Sequence, residues 1–273
     1  VVHINTEIAK ATVSFQGAQV LHYQVKGEEP LLWQGVKESF KPGRAIRAGV
    51  PICWPWFSAH PDSRKPSHGF ARLSLWELTK AQLLPDGRFT LSFLLGKEAP
   101  DFACSATLNI TLGTTLEMEL ISSNNGDLPL TISQALHTYF LVGDVGKVSV
   151  RGLENSPYYE QGVCHSPQDS PAEVVSGFEH IERFYVDPAG FCEVIDPVLN
   201  RSLIITSTGC QSTVLWNPGR DIAEQMGDLG EDGYQSMLCV ESGNLPITGD
   251  RVIIPAKGLH RLAVQYRTVK GAP

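Results

Sequence analysis

Apolar and polar residues alternate at period two along most of the chain, while the 3.6-residue period of a helix is nearly absent. In Phe89-Thr90-Leu91-Ser92-Phe93 the odd positions are apolar, and in Thr115-Leu116-Glu117-Met118-Glu119-Leu120 the even ones are. Successive side chains of a strand point to opposite faces, so each run predicts a strand with one buried face. Leu108-Asn109-Ile110-Thr111-Leu112 reads the same way, and Gly113-Thr114 between the last two runs suits a hairpin turn. Further strands are predicted at Val13 to Phe15, Leu21 to Val25, Leu130 to Leu136, Val148 to Val150, Leu203 to Thr206, Thr213 to Trp216, Met237 to Glu241 and Leu262 to Tyr266. The one helical piece, Arg220 to Met226 between Gly219 and Gly227, is at most two turns. So many strands exceed one flat sheet, and no linker or charge run divides the chain. The expectation is a single all-β domain over residues 1–273, two packed layers or a barrel.

Composition narrows the partners. With 273 residues, 42% of them hydrophobic, there is ample material for a large core. The 22 Lys and Arg against 29 Asp and Glu give a formal charge of -7, which repels a phosphate backbone, so nucleic acid is not an expected partner. The longest apolar candidate, Ala45 to Phe57, holds two prolines and an arginine and falls short of the roughly 20 residues of a membrane helix. No membrane association is expected. The six cysteines are evenly spread without C-x-x-C, and several sit in apolar runs such as Met237-Leu238-Cys239-Val240. Reduced thiols in a cytoplasmic protein are the expectation, and a zinc site built of cysteines is not.

Four places carry candidate chemistry. Arg47-Ala48-Gly49-Val50-Pro51-Ile52-Cys53-Trp54-Pro55-Trp56-Phe57 has two prolines that cannot donate to a ladder, which predicts a structured loop. Its aromatic rings suit either a sugar face or a hydrophobic plug, and Arg47 suits an anion. Ser67-His68-Gly69-Phe70-Ala71-Arg72 follows a polar, proline-bearing stretch and predicts a loop returning into the sheet. His137 falls in register with Thr131, Ser133, Ala135 and Tyr139, on the face opposite Ile132, Leu136 and Phe140. If that face lines a cleft, the imidazole is a candidate proton donor or acceptor; otherwise it is a satisfied surface histidine. Glu241 ends a run that is apolar on both faces, and a carboxylate in so buried a strand must be partnered or functional. Asp228, in the loop from Met226 to Tyr234, reads as part of a solvated acidic segment. Phosphate-loop, dinucleotide, G-x-S-x-G and H-E-x-x-H signatures are missing.

Taken in order, Ala45-Ile46-Arg47-Ala48-Gly49-Val50-Pro51, Trp54-Pro55-Trp56-Phe57, His68-Gly69-Phe70-Ala71-Arg72, Leu136-His137-Thr138-Tyr139-Phe140, Trp216-Asn217-Pro218-Gly219, Met226-Gly227-Asp228 and Cys239-Val240-Glu241 resemble the hexose-6-phosphate mutarotases. These are the glucose-6-phosphate 1-epimerases of the aldose 1-epimerase superfamily, and the match runs from about Val13 to Tyr266. The resemblance implies a large antiparallel β-sandwich of the galactose-mutarotase type, with the sugar on its concave sheet. It also implies that His137 and Glu241 are catalytic and that Arg47 and Arg72 meet the phosphate with His68 beside them. Ser67, Glu182, Trp54 and Asp228 are carried over as further substrate contacts. Three departures bear on specificity: Ala48 stands in an R-G-G pattern, Ser67 where glutamine is common, and Glu182 where aspartate is common.

The implied reaction is interconversion of the α and β anomers of a hexose 6-phosphate. Its alternatives are mutarotation of unphosphorylated aldoses and noncatalytic binding of a sugar phosphate. Anomer exchange needs one base for the C1 hydroxyl proton and one acid for the ring oxygen. Glu241 as carboxylate and His137 as imidazolium would fill those roles, exchanging them on closure. No metal, nucleotide or redox cofactor has work to do in such a scheme. The expected partner is a small sugar phosphate, and the expected state a monomer or weak homo-oligomer.

Overall fold

The computed structural model describes residues 1–35, 41–96, 102–167, 180–186, 189–227, 229–230 and 232–271. Two eight-stranded antiparallel sheets hold most of the strand residues among them. One, the backing sheet, orders Ser149–Arg151, Phe191–Asp196, Arg201–Thr208, Leu259–Lys270, Leu116–Asn124, Cys104–Leu112, Phe89–Leu95 and Glu77–Leu83. The other, the site sheet, orders Val163–His165, Tyr158–Glu160, Ile181–Val186, Ser212–Asn217, Met237–Asn244, Gln134–Leu136 and Ile52–Cys53, with Tyr139–Leu141 paired to the near end of Met237–Asn244. A three-stranded sheet, Val2–Asn5, Ala9–Val13 and Val20–Val25, completes the N-terminal side.

The period-two pattern explains this layering directly. Cys104–Leu112 and Leu116–Asn124 alternate buried and half-buried over all nine residues, and Leu108 lies opposite Leu120, Ile110 opposite Met118. The buried set packs into one core cluster with Ile52, Leu136, Ile181, Leu215, Leu238 and Val240 of the site sheet. Each fully buried aliphatic side chain contributes about 1.5–3 kcal/mol relative to exposure. The predicted all-β sandwich is what the chain forms.

Two predicted strands are corrected. Leu130 to Leu136 is not continuous: Leu130–Ile132 pairs with Val252–Ile254, and Gln134–Leu136 belongs to the site sheet. Ser133 makes the break, donating its N–H to the Pro55 carbonyl and accepting the Phe57 N–H on its hydroxyl. Val13 to Phe15 is a strand only to Val13, because the Ser14 hydroxyl accepts the Gln16 N–H and turns the chain. The helix runs Gly219–Met226 and ends at Gly227 with φ of 69°. Among the described residues no helix is long and apolar enough to cross a membrane.

A polar chain crosses the otherwise apolar core. The Trp54 indole N–H donates to Ser122 Oγ (2.9 Å), Ser122 donates to Gln134 Oε1 (3.0 Å), and Gln134 Nε2 donates to Asn244 Oδ1 (3.1 Å). Asn244 in turn donates to the Gly209 carbonyl and to Asp250. All four side chains are buried, and buried polar groups satisfied in this way fix one register rather than several. The chain ties the backing sheet to the two strands that flank the site, Gln134–Leu136 and Met237–Asn244. It also corrects Trp54, expected as a substrate contact: the ring is 1% exposed and faces Phe70 and Phe102, so it presents no face to a sugar.

Candidate active site

Met237–Asn244 is buried along its whole length. Leu238 and Val240 enter the core between the sheets, so Cys239 and Glu241, at alternate positions, face the other way. The register sets their neighbours: Val214 lies opposite Glu241 and Phe184 opposite Val214, while Trp216 lies opposite Cys239 and Glu182 opposite Trp216. His137 sits just beyond Gln134–Leu136, its N–H donated to the Pro51 carbonyl and its ring stacked on Tyr139 at 4.8 Å and 8°. The edge of Trp216 closes on it at 6.1 Å.

These elements enclose a cavity of about 220 Å³ lined by Arg47, Phe57, Ser58, His68, His137, Glu182, Phe184, Val214, Trp216 and Glu241. It is smaller than the roughly 300–1,000 Å³ of pockets for drug-sized ligands and suits one small ring. His137 Nε2 lies 3.3 Å from Glu241 Oε1, with side chains 12% and 2% exposed. The second atoms of both groups, His137 Nδ1 and Glu241 Oε2, are buried without a hydrogen-bond partner in the protein.

Burial dominates the electrostatics. It raises the Glu241 carboxyl well above its usual range, with the Glu182 carboxylate adding to the rise and Arg72 opposing it. It lowers His137 well below the usual imidazole value, with His68, Arg72 and Arg47 adding to the fall. Both groups are therefore pushed toward their neutral forms, the one-proton state of the pair in which the proton lies on the carboxyl. The carboxylate and imidazolium expected from the sequence form the other tautomer of that same one-proton state, one transfer across 3.3 Å away. His68 is pushed down to about 3 by burial and then by Arg72 and Arg47, so it is neutral at physiological pH. Its Nδ1 accepts the Ser58 N–H at 3.3 Å, which leaves Nε2–H as a donor.

The loops are held by local necessity. Gln19, fully buried, donates to the carbonyls of Ile46 and Ala48 and so clamps both neighbours of Arg47. His68 adopts φ of 62°, an uncommon left-handed conformation for a side chain of this size, and is fixed by its N–H to the Ser58 carbonyl and by the Trp54 N–H on its own carbonyl. Gly69, at φ of 73°, follows it because a β-carbon there would overlap the Trp54 carbonyl oxygen. Gly69→Ala is accordingly expected to destabilise the protein by at least about 2 kcal/mol, seen as a fall of roughly 4–8 °C in Tm by scanning calorimetry.

Of the residues singled out in the sequence, Arg47, His68, His137, Glu182 and Glu241 meet at the cavity. Arg72 lies just outside its lining: Nη2 donates to the Ser67 carbonyl at 3.0 Å, Nε is buried without a protein partner, and its charge acts on His68, His137 and Glu241. Ser67 is exposed and serves through that carbonyl. Trp56 is engaged elsewhere, donating to the Pro66 carbonyl and packing on His60. Asp228 lies outside the described residues. Phe57, Ser58, Phe184, Val214 and Trp216 line the cavity without having been singled out as contacts. Trp216 and Val214 share a face in the alternation of Thr213 to Trp216, and only the register against Met237–Asn244 reveals that this face is the cavity's.

A two-sheet β architecture thus holds a buried imidazole and carboxyl pair at a ring-sized cavity. The family model described as aldose 1-epimerase matches residues 1–259, and the chain belongs to that family of epimerases, whose ligands are small sugars. It is 35% identical over 238 residues to an Escherichia coli K12 protein named "Putative glucose-6-phosphate 1-epimerase", covering 85% of this chain and 79% of that one. A Salmonella typhimurium LT2 protein of the same name is 36% identical over 241 residues, with the same two shares. Among solved structures, a "putative mutarotase (YeaD)" from Salmonella typhimurium superimposes with a TM-score of 0.84 at 31% identity over 98% of this chain and 90% of that one. An Escherichia coli K12 protein described as a "Putative aldose 1-epimerase" shares the fold, with a TM-score of 0.77 at 15% identity over 98% of both chains.

Proposed function

We propose that this chain interconverts the α and β anomers of a hexose 6-phosphate, foremost glucose 6-phosphate, by acid/base ring opening and closure. The observation that carries the reading is the His137 to Glu241 pair, 3.3 Å apart on the wall of a cavity that also holds Arg47 and His68. With the pair's proton on the imidazole, Glu241 takes the C1 hydroxyl proton and His137 gives one to the ring oxygen. The ring opens to the aldehyde, C1 turns, and the same two groups act in reverse to close the other anomer. Trp216 and Phe184 supply apolar walls, and Glu182 accepts from a sugar hydroxyl. Arg47, Arg72 and neutral His68 supply donors for the phosphate. The relatives named for glucose 6-phosphate support that substrate. The core shared by both sheets supports one domain over residues 1–273. Six free thiols support a reducing, cytoplasmic setting.

Activity requires one proton on the pair. As pH falls, a second proton reaches His137 only well below the usual imidazole value; as pH rises, the carboxyl gives up its proton only above the usual carboxylate range. The kcat/KM profile for anomer exchange is therefore expected to be a bell, with its acid limb governed by His137 and its alkaline limb by Glu241. Rates measured across pH 4 to 10 check this, and a rate that changes in one direction only across the whole range would contradict it. Glu182 places a second carboxylate at the cavity, which gives glycoside hydrolysis a foothold. Incubation with an aryl glucoside 6-phosphate separates the two: anomer exchange without release of the aryl alcohol is expected, and release would transfer the dyad to hydrolysis.

A further inference from the structure

Cys239 is fully buried one step along the strand from Glu241 on the same face, opposite Trp216, and proton transfer to a sugar gives it no task. A ring nitrogen of His137, Cys239 Sγ and a carboxylate oxygen of Glu241 all lie within 4.8 Å of one another. We propose that these three side chains form an inhibitory site for one thiophilic divalent cation of the zinc class, bound between the imidazole, the thiol and the carboxyl.

The donor set and its spacing carry the inference. Imidazole, thiolate and carboxylate are the ligands zinc takes, and three of them with an open fourth position is a recurring arrangement. Tetrahedral bonds of the usual lengths set nitrogen and oxygen about 3.3 Å apart and nitrogen and sulfur about 3.6 Å apart. His137 and Glu241 already stand at 3.3 Å, and the sulfur has at most about 1.2 Å to close. A second observation points the same way: Glu241, 98% buried, leaves Oε2 without a partner, and a cation would satisfy it. Entry is through the cavity, which His137 and Glu241 line. On binding, the thiol proton and the dyad's proton leave to solvent, and the metal bonds to sulfur, nitrogen and oxygen form without change of oxidation state. The held dyad can then neither accept the C1 proton nor supply one to the ring oxygen. The site itself stands on donor geometry alone; only its inhibitory consequence rests on the proposed function.

The test starts from the full chain carrying Cys164→Ser and Cys210→Ser, which removes the exposed and half-buried thiols. Titration with Cd2+ is followed by the ultraviolet thiolate-to-cadmium charge-transfer band, with anomer exchange measured in the same samples. One equivalent of cadmium with a band, displaced by Zn2+, and a parallel loss of exchange is the expected result. Cys239→Ser should abolish the band while leaving the metal-free exchange rate unchanged. His137→Asn and Glu241→Gln should each weaken binding by at least about tenfold with the thiol still in place, which keeps the test decisive if Cys239→Ser does not fold. No band in the parent, or a band that survives all three substitutions, overturns the site. A band at one equivalent with exchange undiminished keeps the site and overturns the assignment of the dyad.

Discussion

Glu241→Gln and His137→Asn are each expected to lower kcat for anomer exchange by about two orders of magnitude or more, because each replaces a proton-transfer group by a neutral amide. The geometry makes the effect specific. No other carboxylate in the described cavity wall stands against His137, and the ring itself is fixed by Tyr139 below and Trp216 at its edge. The double variant should fall little further, since ring opening needs one group to take a proton and the other to give one, and either loss stops the cycle. The fold should persist: burial already favours the neutral form of Glu241, so a neutral amide of the same size introduces no charge to desolvate. Kinetics by proton NMR exchange, with far-ultraviolet circular dichroism as the check on folding, measure this. Near wild-type rates in either single variant would remove both residues from the mechanism.

The second large effect concerns the phosphate. A formal charge of -7 opposes a dianion overall, so any attraction must be local, and two guanidinium groups are near at hand. Arg47 lines the cavity and is clamped through its neighbours by Gln19; Arg72 keeps a buried Nε unpartnered while its Nη2 holds Ser67. Charge-assisted hydrogen bonds of this kind contribute roughly 1.5–3 kcal/mol each. Glucose 6-phosphate is accordingly expected to exceed glucose in kcat/KM by at least about a hundredfold, and Arg72→Ala to erase much of that gap. Arg72→Lys should recover only part, because an ammonium lacks the planar fork. Parallel assays with both sugars read the gap directly. Equal kcat/KM values for the two would deprive both arginines of the phosphate and move the chain to the unphosphorylated aldoses.

The sandwich was legible because period-two alternation is a consequence of burying one face, and the sequence keeps that alternation through Cys104–Leu112 and from Leu116 to Leu120. Where the alternation lacked a buried face, it failed. Glu77–Leu83 is exposed along nearly all of its length and left no apolar signature, although it completes the backing sheet. Leu130 to Leu136 kept its alternation across a change of sheet, because the break at Ser133 is made by hydrogen bonds to the Pro55 carbonyl and from the Phe57 N–H, far away in sequence. The site divides in the same manner. Glu241 stood out as a carboxylate ending an apolar run, and the strand carries on past it to Asn244, buried throughout. His137 kept the face its parity assigned. Trp54 did not follow its expected role, since an indole that needs one acceptor found it in Ser122 of the backing sheet and turned inward. Trp216, Phe184 and Glu182 reach the cavity through the pairing of three strands spread over residues 181–244, which a single sequence does not encode locally.

Adding pure α-glucose 6-phosphate to the protein and following the anomeric proton signals by NMR tests the central claim most directly. The α signal is expected to relax to the equilibrium mixture at a rate proportional to protein concentration, faster than in buffer alone, with no other product formed. Relaxation identical to the protein-free sample, at concentrations where the sugar phosphate is bound, would contradict it and leave a binding protein in its place.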